Sequence, residues 1–293
     1  MEALVYVIVL TYNGKKWIDN CLDSVLKTVY SNFKVLLIDN ASHDGIVEYL
    51  KNRFPSVEVI KNDKNLGFGQ AMNIGIKVAQ ERNAKYIILL NQDTRVNENW
   101  ITELVKVAEA ASDIGVLTPL QYDYEGRNLD INFVTLIKDE HYMDKAFLET
   151  DTIIGAATFI KKEVFEKIGY FDPIYFLYAE ESDFCRRAKA QGYKIGIAVR
   201  SKISHWHTLL HKKDIGIRNR YLFIKNNFIY TLTDKEKSLR EAIFSYYKLE
   251  LRKFYSRSFL KSFLSLLLKV TLLWYLPIIM NKRNEKSIQK EQK

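Results

Sequence analysis

The chain has 293 residues, 47% of them hydrophobic and 27% charged, enough for one large or two small domains with a buried core. With 12 Gly, 4 Pro and only two cysteines, Cys21 and Cys185, it is neither a low-complexity chain nor a disulfide scaffold, and it cannot build a four-thiolate zinc site. The net charge of +9 is uneven: residues 200–293 carry 21 Lys/Arg against 7 Asp/Glu, while the first 199 residues are net acidic, so the basic third points to anionic lipid or nucleic acid.

The opening Met1-Glu2 lacks a cationic leader region, and its apolar run stops at Thr11, so it reads as a first strand on the cytoplasmic side of a membrane and not as a signal peptide. Short apolar runs follow one another: Leu4 to Leu10, Val35 to Ile38, Val57 to Ile60 and Tyr86 to Leu90. Continuous runs of this kind predict strands covered on both faces. Helical patterns separate them over Trp17 to Val29, Gly45 to Phe54 and Gly69 to Glu81, which makes βαβ units and a parallel sheet. A helix over Ile101 to Ala111 and strands over Gly115 to Leu120, Thr152 to Ile160 and Tyr193 to Val199 come next; residues 121–150 give no clear order. Ala179 to Ala190 reads as a helix with acids in its first turn and bases in its last, an order that complements the helix dipole. From Ile215 onward the pattern is helical and basic.

Ligands of an open parallel sheet bind beyond the carboxyl ends of the strands. Four consecutive strand ends here are polar: Thr11-Tyr12-Asn13-Gly14, Asp39-Asn40-Ala41-Ser42-His43-Asp44-Gly45, Asn62 to Gly69, and Asn91-Gln92-Asp93-Thr94. The first βα turn lacks G-x-G-x-x-G, which argues against a dinucleotide dehydrogenase, and G-x-x-x-x-G-K-[ST] is absent, which excludes a P-loop enzyme. A nucleotide site using carboxylates and amides remains. Asp39 reads either as a base or ribose contact or as a turn residue, and Asp93 as a ligand for a divalent cation on a diphosphate.

Taken in order, these segments, then Gly155-Ala156, then Phe171-Asp172 and Glu180-Glu181-x-Asp183-Phe184-Cys185-x-Arg187, resemble a family 2 glycosyltransferase of the GT-A fold, in its rhamnosyltransferase-like branch, over roughly residues 4–210. The resemblance implies a nucleotide-diphospho-sugar donor lying along Thr11, Asn13, Asp39, Asn65, Gly67 and Asp93. It implies Mg²⁺ or Mn²⁺ at Asn91 and Asp93, where N-Q-D stands for the family's D-x-D, with His205 completing the metal site. Gly155, Ala156 and Asp183 would lie on the acceptor side. Glu181 would be the base of an inverting transfer, with Glu180 as the alternative, and the helix dipole would favour the ionised base. Asp183 and Arg187, four apart, would pair as scaffold.

The implied architecture is α/β: a mostly parallel twisted sheet flanked by helices over residues 1–210, then a helical, basic C-terminal extension over 211–293. Phe259 to Met280 is long enough to span a bilayer, but Lys261 and Lys269 interrupt it and Lys/Arg flank it, so it reads as a helix in the interface of an anionic membrane. A core-packing helix and a true span are the alternatives. No nucleic-acid motif accompanies the basic charge. The expected function is transfer of a sugar, L-rhamnose from dTDP-L-rhamnose by resemblance, to a hydroxyl of a surface polysaccharide or lipid-linked oligosaccharide precursor at the inner face of the cell membrane. A UDP-sugar donor (galactofuranose, glucose or N-acetylglucosamine) and a catalytically silent nucleotide-sugar-binding partner of a polysaccharide-assembly complex are the alternatives.

Overall fold

A computed structural model describes residues 2–206, 216–253 and 273–284. The chain divides into two compact units, Met1–Phe176 with Glu180–Leu209 and Leu177–Ala179 with Leu210–Lys293.

The first unit is built on one nine-stranded sheet. Its strands are β1 (Val5–Thr11), β2 (Phe33–Asp39), β3 (Glu58–Lys61), β4 (Tyr86–Asn91), β5 (Thr94–Val96), β6 (Ile114–Tyr122), β7 (Phe147–Glu149), β8 (Ala157–Lys161) and β9 (Lys194–His205). Their spatial order is β3-β2-β1-β4-β8-β6-β9-β5, with β7 paired to β9. The helices are α1 (Lys15–Leu26), α2 (Ile46–Arg53), α3 (Phe68–Glu81), α4 (Trp100–Ala110), α5 (Lys162–Ile168) and α6 (Glu180–Lys189).

The apolar runs behave as strands buried on both faces. Val5, Val7 and Val9 of β1 face one core with Ile18, Cys21, Leu22 and Val25 of α1 and Trp100, Ile101 and Leu104 of α4. Tyr6 and Ile8 face the other, with Ala71, Met72, Ile76 and Ala79 of α3 and Phe184, Cys185 and Ala188 of α6. Spacings of three and four along α1 and α3 give each helix one apolar stripe for its layer. Gly75 lets α3 approach closely, since a Cβ there would lie 2.7 Å from Ile8 Cγ2.

The first half of the sheet is parallel: β1 pairs with β2 and β4, and β2 with β3. The second half is mixed: β6–β9 is parallel, while β4–β8, β6–β8, β5–β9 and β7–β9 are antiparallel. Three short elements escape the sequence pattern. β5 has no apolar run of its own and exists because β9 extends to His205, setting Thr94 opposite it. β7 forms within the unordered 121–150 stretch, and α5 follows β8 directly. The strand expected from Thr152 begins only at Ala157; before it the chain turns tightly, with Ala156 N–H donating to Ile154 C=O at 3.0 Å.

The second unit contains α7 (Ile217–Leu232), α8 (Leu239–Lys253) and a helix over residues 273–284. Phe228, Leu232, Ala242, Tyr246 and Ile279 form its core. Ser238 and Glu241 make a capping box at the start of α8: Ser238 N–H donates to Glu241 Oε2 at 2.8 Å, and Glu241 N–H to Ser238 Oγ at 3.2 Å. Arg283 donates to Leu232 C=O at 2.6 Å and Asp234 C=O at 2.7 Å, which satisfies carbonyls at the end of α7. No helix among the described residues is long and apolar enough to cross a membrane. Residues 259–272 of the expected membrane segment lie outside the described residues. Its last part is helical and leaves Leu273 (74%) and Trp274 (79%) exposed.

Candidate active site

The strand order reverses between β1 and β4, because β2 and β3 lie on one side of β1 and β4 on the other. The carboxyl ends of β1 and β4 therefore flank the topological switch point, where open α/β sheets bind ligands. Gln92 straps the two ends together. Its Oε1 accepts from Thr11 Oγ1 at 2.6 Å and from Tyr12 N–H at 2.9 Å, and its Nε2 donates to Tyr12 C=O at 3.3 Å. The middle residue of N-Q-D thus holds the loop after β1 in place. A Cβ on Gly14 would lie 1.9 Å from the same Oε1, so the strap needs glycine there.

Asn13 takes a left-handed backbone, φ 50°, which asparagine tolerates better than most residues. Its N–H donates to Ser42 Oγ and its Oδ1 accepts from His43 N–H, both at 2.9 Å, tying the loop after β1 to the loop after β2. Asp44 accepts from Lys15 N–H at 2.9 Å and Ile46 N–H at 3.2 Å. Asn13, Lys15, Lys16 and Asp44 line a pocket of about 410 Å³. Asp39 is fully buried; its carboxylate accepts long bonds, 3.3 and 3.4 Å, from Ser42 N–H, a local contact of the turn kind, and its C=O accepts from Asn62 N–H at 2.8 Å.

Asn40, which the sequence pattern did not single out, joins the second and third loops. It is 3% exposed. Its Nδ2 donates to Asn65 Oδ1 at 3.0 Å and Gly67 C=O at 3.1 Å, while its Oδ1 accepts from Leu66 N–H at 2.9 Å and Asn62 Nδ2 at 3.1 Å. Asn65 Oδ1 also accepts Gly67 N–H at 2.9 Å. Gly67 has φ 79° and lies against Phe176 C=O, where a Cβ would come within 2.0 Å. Asn65 and Gly67 thereby shape the rim through a turn that only glycine can complete. An Asn next to an Asp at a strand end is the signal that marks Asn40.

Asp93 and His205 meet, with Asn91 two residues before Asp93. Asn91 N–H donates to Ala156 C=O at 2.9 Å. Trp206 N–H donates to Asp93 C=O at 2.8 Å, and His205 Nε2 lies 3.5 Å from Asp93 Oδ1. No group of three or more His, Cys, Asp or Glu side chains suited to a metal forms among the described residues. One carboxylate beside one imidazole fits a hard cation that draws its other ligands from a diphosphate.

The acids stand at the start of α6. Phe184 fixes that helix in the core against Phe171 and Phe165, with ring centroids 4.9 and 5.3 Å away. Asp183 pairs with Arg187 at 2.8 Å, the pairing that their spacing suggested, and with Arg186 at 3.1 Å, and Arg187 also donates to Ile168 C=O and Tyr170 C=O. Glu180 is 4% exposed, and its Oε2 has no hydrogen-bond partner among the described residues. Glu181 is half-buried and lies on Gly155, whose N–H donates to its carboxylate. Burial raises both carboxyls above the usual glutamate range, and the neighbouring Glu180 charge raises Glu181 further. The expectation that the helix dipole favours the ionised form is corrected here: desolvation and like charge outweigh it. A raised carboxyl is the stronger proton acceptor once ionised. Both cysteine thiols are pushed up to about 12 by burial, which removes them as nucleophiles.

The links run without a gap: Thr11 to Gln92, Asn91 to Ala156, Gly155 to Glu181. Immediately before Glu180, Tyr178 (φ 71°) and Ala179 (φ 70°) both take left-handed backbones, each at a cost of about 1–3 kcal/mol for a non-glycine residue.

Comparison with known proteins gives the family and the fold. The chain is 26% identical over 265 residues to the dTDP-rhamnosyl transferase RfbF of Shigella flexneri, covering 84% of this chain and 86% of that one. It is 23% identical over 223 residues to the N-acetylglucosaminyl-diphospho-decaprenol L-rhamnosyltransferase of Mycobacterium tuberculosis, covering 66% and 73%. The fold is similar to that of the mannosyltransferase PcManGT from Pyrobaculum calidifontis, solved with GDP-Man and Mn²⁺: TM-score 0.62 at 16% identity, over 95% of this chain and 86% of that one. The family model for glycosyl transferase family 2 matches residues 6–169, more than half of the sequence. The chain belongs to that family, with a GT-A-type fold, and is a nucleotide-sugar glycosyltransferase.

Proposed function

We propose that the chain is an inverting rhamnosyltransferase that moves L-rhamnose from dTDP-L-rhamnose to a hydroxyl of a surface polysaccharide or its lipid-linked precursor. The observation that carries this reading is the carboxyl pair at the head of α6, with Glu181 set on Gly155 in line with the switch point. The relatives of known donor support rhamnose.

Glu181 is the base because it keeps some exposure, while Glu180 is buried too deeply to meet an acceptor. The acceptor oxygen attacks the anomeric carbon from the face opposite the diphosphate. The new C–O bond forms as the bond to the diphosphate oxygen breaks, the diphosphate leaves with the electron pair, and the acceptor proton moves to Glu181. Thr11, Asn13, Asp39, Asn65 and Gly67 line or shape the donor side; Gly155 and Ala156 border the acceptor. Asp93 and His205, with Asn91 beside them, would hold Mg²⁺ or Mn²⁺. A cation held there supplies positive charge to the diphosphate as its own charge develops.

Residues 1–210 carry the chemistry, and 211–293 serve as the membrane-associating extension at the inner face of the cell membrane. Exposure of Trp274, Leu273 and Phe244 (69%) on a basic unit supports that role. Titration of the full chain with dTDP-L-rhamnose, UDP-galactose and UDP-N-acetylglucosamine in Mn²⁺ tests the donor. Tightest binding of dTDP-L-rhamnose is expected, and preference for a UDP-sugar overturns it. Sedimentation with anionic and neutral vesicles tests the extension: binding to anionic vesicles that high salt weakens is expected, and equal binding to both overturns it.

A further inference from the structure

The three residues before the acids cluster with the second unit and not with the sheet that the acids serve. Asn226 of α7 is fully buried, and its Nδ2 donates to Leu177 C=O at 2.7 Å. Phe223, one turn earlier on α7, meets Tyr178 edge-on, with centroids 5.6 Å apart and planes at 77°. Tyr178 and Ala179 then take two successive left-handed conformations, and the next residue is Glu180. Neither is glycine, so this backbone persists only if its surroundings enforce it.

Asn226 is suited to enforce it. Its Oδ1 is buried without a hydrogen-bond partner among the described residues, while its Nδ2 is used. A buried amide with an unsatisfied oxygen is a net liability unless its donor has a task, and an apolar residue of similar size would fill the space without that penalty. We propose that Asn226, aided by Phe223, is a positioning residue of the transfer reaction: it fixes the left-handed Tyr178-Ala179 dipeptide and thereby the first turn of α6, which presents Glu180 and Glu181. This inference rests on the reading of Glu181 as the base. Its consequence is that Asn226 affects turnover through the backbone that leads into α6. Were the bond lost, the dipeptide would relax towards ordinary backbone angles. Glu180 and Glu181 would then lose their fixed placement and their shelter from water.

The test uses the full chain with Asn226→Ala, Ala179→Gly and the two combined. Release of dTDP from dTDP-L-rhamnose gives kcat and KM, dTDP titration gives donor-site affinity, and ¹³C NMR of glutamate-labelled protein follows the carboxyl titrations. A misplacement of about 1 Å costs on the order of 10²-fold, so Asn226→Ala should lower kcat by roughly 10- to 100-fold and leave dTDP affinity within about twofold. The Glu180 and Glu181 titrations should fall towards the ordinary carboxylate range. Glycine adopts the left-handed backbone at no steric cost, so Ala179→Gly alone should keep kcat near that of the parent, and added to Asn226→Ala it should restore roughly fivefold or more. A merely structural Asn226 would give a loss that Ala179→Gly does not repair, or a loss of dTDP affinity equal to that of kcat; either overturns the proposal, as does unchanged kcat. If Asn226→Ala does not fold, Ala179→Val, with a β-branched residue in the left-handed position, should give the same loss of kcat, and parent-like kcat there refutes the idea. Glu181→Gln separates the two claims: full activity in that variant sinks the base assignment, while the carboxyl titrations of Asn226→Ala still report whether α7 positions the pair.

Discussion

Substituting Gly155 by alanine places a single methyl group where the Glu181 carboxylate now lies. A Cβ on Gly155 would fall 1.3 Å from Glu181 Oε1, 2.1 Å from its Cδ and 2.5 Å from Oε2. Ordinary contact begins near 3.4 Å, so the carboxylate must retreat by about 2 Å. The backbone at Gly155 is not in the left-handed region, so alanine itself fits the chain. The obstructed atoms are the end of a flexible side chain, so the fold can survive and the loss falls on the chemistry. Misplacement by about 1 Å costs on the order of 10²-fold in rate, so Gly155→Ala should reduce kcat by at least about that factor. The Thr11–Gln92 strap and the pocket at Asn13 and Lys15 are untouched, so donor KM should stay within about twofold, because uniform binding is unaltered. The assay is steady-state dTDP release from dTDP-L-rhamnose, with a thermal melt to verify folding. A variant that melts like the parent and keeps kcat within about threefold would refute the placement of Glu181 as the base.

Glu181→Gln should lower kcat by roughly 10²–10⁴-fold with donor binding retained, and an active Glu181→Gln beside a dead Glu180→Gln would transfer the role to Glu180. The same variant carries a pH signature. Both carboxyls are raised in the folded state, so their contribution to stability is full below the unfolded value near 4.5 and is lost as pH rises through the raised folded values. Glu181→Gln removes part of that loss, so its Tm relative to the parent should be higher at pH 8 than at pH 5; equal differences at both would contradict the burial argument. Asp93→Ala should weaken donor binding far more in Mn²⁺ than in EDTA, and His205→Ala should do the same less strongly, whereas equal losses in both buffers would make the pair structural. Asn40→Ala leaves the buried Leu66 N–H and Gly67 C=O without their partner, and chemical denaturation should show a loss of about 2–4 kcal/mol; a loss below about 0.5 kcal/mol would mean that water replaces the amide.

The parallel half of the fold is written in the sequence because its signals are local. A run such as Leu4 to Leu10 is apolar at both parities, so it can only be a strand covered on both faces, and the helices between such runs show their own stripe of three and four. Once those strands are parallel and consecutive, their polar ends must share one edge, which is why Thr11, Asp39, Asn65 and Asp93 were legible as a group. Elements that depend on distant partners were not. β5 has three residues and forms because β9, more than a hundred residues later, runs alongside it. Gln92 and Asn226 carry no pattern of their own, and the Asp39-Asn40 pair marks a strand end without showing what Asn40 joins; each matters for a hydrogen bond to a loop that only the folded chain brings near. The electrostatics of the acids divide in the same way. The order of charges along α6 was readable and gave the dipole and the Asp183–Arg187 pair. Burial was not readable, since desolvation is set by everything packed around a carboxyl, and it is burial that reverses the dipole's effect at Glu180 and Glu181.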